Sequence, residues 1–123
     1  MRRFLSAFMT YVSLAVPAGA GQPISESFVE CAQLYDMLNR AEPARRGTEK
    51  GAMLEYAAAQ LMRGAPNEAE GRQGVGAYLD EMATTKAEKW DAKGLGYVMI
   101  QDARDWFANC RSLARDRGIA LKP

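Results

Sequence analysis

Histidine is absent from this chain of 123 residues. Its absence excludes Ser-His and Cys-His nucleophile pairs, histidine-ligated metals and the usual proton shuttle near neutral pH. Net charge is almost absent too, because 16 Lys and Arg stand against 15 Asp and Glu. A chain so close to neutrality has no long-range field to attract a polyanion. We therefore expect neither a nucleic-acid partner nor an anionic membrane surface as the target.

Long apolar runs are also missing, except at the N-terminus. A basic start and an uncharged, mostly apolar stretch occupy residues 1–16, and this stretch is too short to cross a bilayer. Pro17 ends it, and the small residues at 18–20 suit a signal peptidase that cleaves before Gly21. The sequence therefore predicts a signal peptide over residues 1–20.

Cysteine is scarce, with Cys31 and Cys110 as the whole complement. An even pair in an exported chain predicts one structural disulfide. A redox motif would place its cysteines two residues apart, and a zinc site would need further ligands. We expect residues 21–123 to form a single domain in the periplasm or outside the cell, with no stable membrane insertion after signal cleavage.

Strand patterns are lacking as well, since no stretch alternates apolar and polar residues for long. Helix-forming Ala, Leu, Met, Glu, Lys and Arg dominate instead, so the fold class is predicted to be all-α. Cap residues and stop signals place the helix ends, with Ser27 and Glu30 as a capping box. The four predicted helices are Ser27 to about Ala41, Thr48 to Arg63 with Gly64 as its stop, Val75 to about Gly94, and Leu95 to Arg117 with Gly118 and Ile119 as a Schellman stop.

Short connections between four helices favour an antiparallel up-down four-helix bundle. A disulfide between Cys31 and Cys110 requires the first and last helices to be antiparallel neighbours. The alignment of the two helices that this disulfide would set also places Tyr35 beside Trp106. Both residues are apolar, so the hydrophobic pattern agrees with the predicted cross-link.

One charge breaks the apolar pattern of the third helix. Lys86 lies on the apolar stripe between Met82 and Trp90, where a surface lysine is not expected. The turn between the last two helices sets Lys86 opposite Asp102, close to Trp106. Lys86, Asp102, Trp90 and Trp106 are therefore a candidate buried polar pair or ligand anchor. The alternative is that Lys86 extends along Trp90 into solvent.

Other motifs favour structural roles over chemistry. The glycine-rich segment 71–76 follows no strand and lacks the Lys-Ser/Thr of a phosphate loop. The methionines are dispersed as core fillers rather than paired as copper ligands. Asp80 with Glu81, and Asp102 with Asp105, are carboxylate pairs typical of a solvated face. We expect no metal and no cofactor.

By exclusion, the sequence predicts a non-enzymatic exported protein that works by binding, as an inhibitor, an immunity-type protein or an accessory protein. Its expected partner is another envelope or extracellular protein. The alternative is a small-ligand carrier with its pocket between the third and fourth helices. A third hypothesis is a carboxylate-dependent enzyme. An exposed apolar patch would favour the first, and a cavity around the two tryptophans the second.

Overall fold

The computed structural model describes residues 22–69 and 74–123. The predicted signal peptide and part of the glycine-rich segment lie outside them. No strand occurs in the described part of the chain, so the all-α prediction is confirmed, as is the number of α-helices. The elements are α1 (Ile24–Ala41), a 3-10 turn (Pro43–Gly47), α2 (Glu49–Glu68), α3 (Val75–Asp91), a second 3-10 turn (Leu95–Met99) and α4 (Gln101–Asp116).

Helix α1 lies at the centre and packs against α2, α3 and α4. Apolar side chains surround it on most sides, and Phe28, Val29, Ala32, Leu34 and Met37 are each no more than 1% exposed. This burial extends well beyond the single stripe expected for a surface helix. Any polar side chain in the same stretch must therefore find its partner inside the protein.

The disulfide between Cys31 and Cys110 joins α1 to α4 and confirms the predicted cross-link. The two Cα atoms are 5.6 Å apart, and the residues are 79 positions apart in the chain. Four residues further along α1, the Tyr35 ring meets Phe107 edge-on at 5.1 Å. The predicted neighbour of Tyr35 was Trp106, one position away, and Trp106 instead contacts Trp90.

The beginning of α1 differs from the prediction. The helix begins at Ile24, with Pro23 in the N-cap position. Ser27 does not cap the helix, because it lies inside the first turn and its N–H donates to the carbonyl of Pro23 at 3.2 Å. Its hydroxyl accepts a hydrogen bond of 3.1 Å from the side-chain amide of Gln22. Glu30 does not reach back to complete a capping box either, since its carboxylate is held by partners from α3.

Helix α2 begins as predicted and ends later. The hydroxyl of Thr48 accepts a hydrogen bond from the Gly51 N–H at 3.0 Å, which confirms the predicted cap. Gly64 is not the stop, because α2 continues to Glu68. A Cβ at Gly64 would lie 2.6 Å from Cδ1 of Ile119. This glycine thus allows the C-terminal segment to pack closely against the helix.

The predicted fourth helix is divided in two. Residues 95–99 form a 3-10 turn, and Ile100 is extended, so α4 begins at Gln101. Tyr97 in the 3-10 turn is buried, with its ring 5.8 Å from that of Trp90. The contact stabilises a segment whose Gly96, Val98 and Ile100 have low helix propensity, so the continuous helix predicted from Leu95 does not form.

The end of α4 is the predicted Schellman motif. Gly118 has a φ of 70°, and the N–H of Ile119 donates to the carbonyl of Ala114 at 2.8 Å. The Gly118 N–H donates to Arg115 at 3.2 Å, which completes the motif. The chain thereby turns back, and Ile119 reaches the surface of α2.

Candidate functional site

Two of the predicted site residues, Trp90 and Trp106, are in contact. Trp90 is fully buried, and its ring meets Trp106 at 5.2 Å in a T-shaped arrangement. Its indole N–H donates a hydrogen bond of 2.9 Å to the backbone carbonyl of Glu30. The two tryptophans thus join the end of α3 to α4 and to the central helix.

The other two predicted residues have separate partners, which corrects the expected pairing of Lys86 with Asp102. The Lys86 ammonium lies 3.2 Å from Oε2 of Glu30, and its side chain is 15% exposed. Asp102 accepts a hydrogen bond from the hydroxyl of Tyr97. The prediction placed Lys86 against α4, whereas α3 turns this side chain toward α1.

Glu30 is the centre of a buried ionic cluster that also contains Gln22, Lys86 and Lys89. Its side chain is 3% exposed and lies 2.7 Å from the Lys89 ammonium, and its second oxygen accepts from Gln22 at 3.1 Å. Burial raises the pKa of Glu30, but the two lysines outweigh that effect and hold it below its ordinary value. The carboxylate is therefore ionised at neutral pH.

The ionic cluster has a structural role, because it joins α3 to the central helix. Lys89 lies over the rings of Trp90 and Trp106, at 4.5 and 4.7 Å from their centroids, as well as against Glu30. The sequence pattern missed Glu30 because the residue was assigned to a cap. Its apolar neighbours Val29 and Ala32 were the available signal that this part of α1 is enclosed.

A second candidate site is an open groove formed by α1, α2, α4 and the segment after α4. It has a volume of about 750 Å³. Its floor is apolar because the Schellman motif returns two apolar side chains against α2. The floor residues are Tyr35, Met53, Leu54, Ala57, Ile119 and Leu121.

The groove has a rim of one charge sign. Lys50, Arg111, Arg115 and Lys122 line it, and no acidic residue does. None of these four cations is in an ion pair within residues 22–69 and 74–123. Burial raises the pKa of Tyr35 on the floor despite the opposing effect of Arg111, so its hydroxyl is neutral at physiological pH.

Sequence reasoning did not identify this groove. Met53 and Leu54 belong to an apolar side of α2 that periodicity alone would place in the core, but Met53 is 38% exposed. Arg111 and Arg115 lie in the last turns of α4, where cations are typical because they complement the helix dipole. The available signal was the pair of apolar residues Ile119 and Leu121 directly after the helix stop.

Neither a metal site nor a membrane span is present among the described residues. The described ranges contain no group of three or more acidic or cysteine side chains arranged to hold a metal ion. They also contain no helix long and apolar enough to span a membrane.

Comparison with known proteins finds no relative. No family model matches the chain, and no curated protein or solved structure matches it.

Proposed function

We propose that this chain is a small exported helical protein that works by binding, and that its groove receives a segment of another envelope or extracellular protein. The observation that carries the proposal is the apolar floor left open between α2, α4 and the C-terminal segment. The volume of about 750 Å³ is within the range of pockets that hold small ligands. Because the groove is open, its occupant can extend beyond it, as a protein segment does.

Export is supported by the N-terminal pattern together with the disulfide, which is typical of oxidising compartments. We expect the protein purified from its native host to begin at Gly21 and to weigh two hydrogen atoms less than the fully reduced chain. Intact mass before and after reduction measures both properties. A product that begins at Met1, or one whose mass does not change on reduction, would contradict export.

The up-down arrangement is part of the same proposal. Asn39 near the end of α1 donates to the carbonyl of Gly51 near the start of α2 at 2.8 Å. Arg40 lies 2.9 Å from Asp91 at the end of α3. These contacts support helices that alternate in direction. The proposed arrangement differs from a simple four-helix bundle because α1 is central and contacts the three other helices. Helices α2 and α4 border the groove.

A small-ligand carrier between α3 and α4 has less support than a protein binder. That alternative requires Lys86 or Asp102 as a free polar anchor beside the tryptophans. Both side chains already have partners, Glu30 for Lys86 and Tyr97 for Asp102. For a carboxylate-dependent enzyme, the described residues offer no free acid-base pair at Asp102 and Asp105, which accept hydrogen bonds from Tyr97 and Gln101.

The binding proposal predicts a difference between two matched double variants. Met53→Ser with Leu121→Ser removes apolar side chains from the groove, whereas Met99→Ser with Ile100→Ser removes two exposed ones elsewhere. In affinity capture from the native envelope fraction, the amount of captured partner should fall about tenfold with the first variant and remain unchanged with the second. Quantitative mass spectrometry measures the ratio. If every captured protein responds equally to both variants, the groove is not the binding site.

A further inference from the structure

We propose that the segment bound in the groove is acidic and amphipathic, with an apolar face on the groove floor and carboxylates against the cationic rim. This inference rests on the proposed function, since it names the chemistry of the partner at the same groove. Helix-in-groove recognition works in this way, with apolar anchors one turn apart.

Among the described residues, the four cations on the groove rim are unpaired, whereas several cations outside the groove are in ion pairs. Outside the groove, several arginines have carboxylate partners close by: Arg40 lies 2.9 Å from Asp91, and Arg46 lies 2.8 Å from Asp36. Arg117, just beyond the end of α4, lies 3.2 Å from Glu68. The four rim cations have no such partner within the described ranges. Although the protein is near-neutral overall, its apolar groove is lined by four cations and by no acidic residue of the described part of the chain.

The spacing of the rim cations favours a segment over a single anionic head group. Arg111 and Arg115 are one turn apart on α4, about 6 Å along its axis. Lys50 belongs to the first turn of α2, and Lys122 to the segment after α4. Cations distributed over three elements match several carboxylates placed along a chain. Two like charges four residues apart on a helix repel each other, and a bound carboxylate would relieve that repulsion.

Charge also argues against two other occupants. A second copy of this chain that docked through the same groove would bring its four cations against the same four. The N-terminal apolar run of the chain itself begins with Arg2 and Arg3, which carry the sign of the rim. Both arrangements lack the complementarity that an acidic segment supplies.

The test compares three synthetic amphipathic peptides of about 16 residues, long enough for roughly four helical turns. All three have the same leucine face, and the opposite face is glutamate, glutamine or lysine. Binding to the purified exported protein is measured by fluorescence anisotropy at low and at high salt. We expect the glutamate peptide to bind at least about tenfold more tightly than the glutamine peptide. This advantage should diminish with added salt.

Charge reversal makes the test specific to the rim. Lys50→Glu with Lys122→Glu changes two exposed rim residues and should reverse the preference toward the lysine peptide. Arg63→Glu with Lys93→Glu changes the net charge by the same amount at two exposed positions that do not line the groove. This control should leave the preference for the glutamate peptide intact.

The outcomes separate this inference from the proposed function. If the glutamate and glutamine peptides bind equally and both are lost in Met53→Ser with Leu121→Ser, the groove binds segments but the acidic preference is overturned. If no peptide depends on the groove residues, the proposed function fails as well.

If decanoate binds to the protein and none of the three peptides does, the groove is a site for a small amphiphile and the inference is overturned. A dimer in sedimentation that the same groove variant dissociates would assign the groove to a second copy, and would also overturn it.

Discussion

Replacing both Cys31 and Cys110 by serine is expected to lower the free energy of unfolding by about 4 to 5 kcal/mol. The disulfide connects residues 79 positions apart, so its loss frees a long loop in the unfolded chain. It also removes the covalent connection between α4 and the central helix. Since a domain of this size has a total stability of about 5 to 15 kcal/mol, the effect should be severe.

Differential scanning calorimetry measures the change as a fall in Tm of about 16 to 40 °C, from the scaling of roughly 4 to 8 °C per kcal/mol for a domain of this size. The unmodified protein scanned after reduction is the control, and its Tm should fall to the same range. A fall of only about 2 °C would mean that helix packing alone maintains the fold.

Replacing Glu30 by glutamine is expected to lower the free energy of unfolding by about 3 kcal/mol. The change leaves Lys86 and Lys89 close together without the carboxylate that both contact. Removing one partner of a buried ion pair costs about 3 to 5 kcal/mol. We expect the lower value because Lys89 is 38% exposed and can turn toward solvent. Urea denaturation at neutral pH measures the loss.

A double-mutant cycle identifies the partner of Lys86. Glu30→Gln combined with Lys86→Met should show a coupling energy above about 1 kcal/mol, because the two charges are in contact. The matched control combines Asp102→Asn with Lys86→Met and should show coupling below about 0.5 kcal/mol. The reverse order of couplings would restore the pairing of Lys86 with Asp102.

The loss caused by Glu30→Gln should depend on pH. The pKa of Glu30 in the folded protein lies below its ordinary value of 4.5, so the folded state holds this proton less tightly than the unfolded state does. The ionised carboxylate therefore stabilises the protein fully above the unfolded pKa, and this contribution is lost as the pH falls through the folded pKa. Urea denaturation from neutral to acidic pH should show wild type and variant converging. A constant difference would show that the carboxylate charge is not responsible.

Much of the local structure was determined by the sequence alone, because each feature depends on neighbouring residues. Thr48 caps α2 with its own hydroxyl, and Gly118 adopts the left-handed conformation that ends α4. Short-range hydrogen bonds and backbone preferences are sufficient for these two predictions. The disulfide joins distant residues, and it was predictable for another reason: the chain has two cysteines and an export pattern.

The sites were decided only by the tertiary structure. Glu30 is in a buried ion cluster because α1 is central, and no local pattern specifies which helix faces it. The groove combines Tyr35, Met53, Arg111 and Leu121 from four separate parts of the chain. Their meeting depends on how α2 and α4 pack around α1 and on where the Schellman motif directs the last residues. Hydrophobic burial is non-directional, so periodicity shows that a face is apolar but not which other face will cover it.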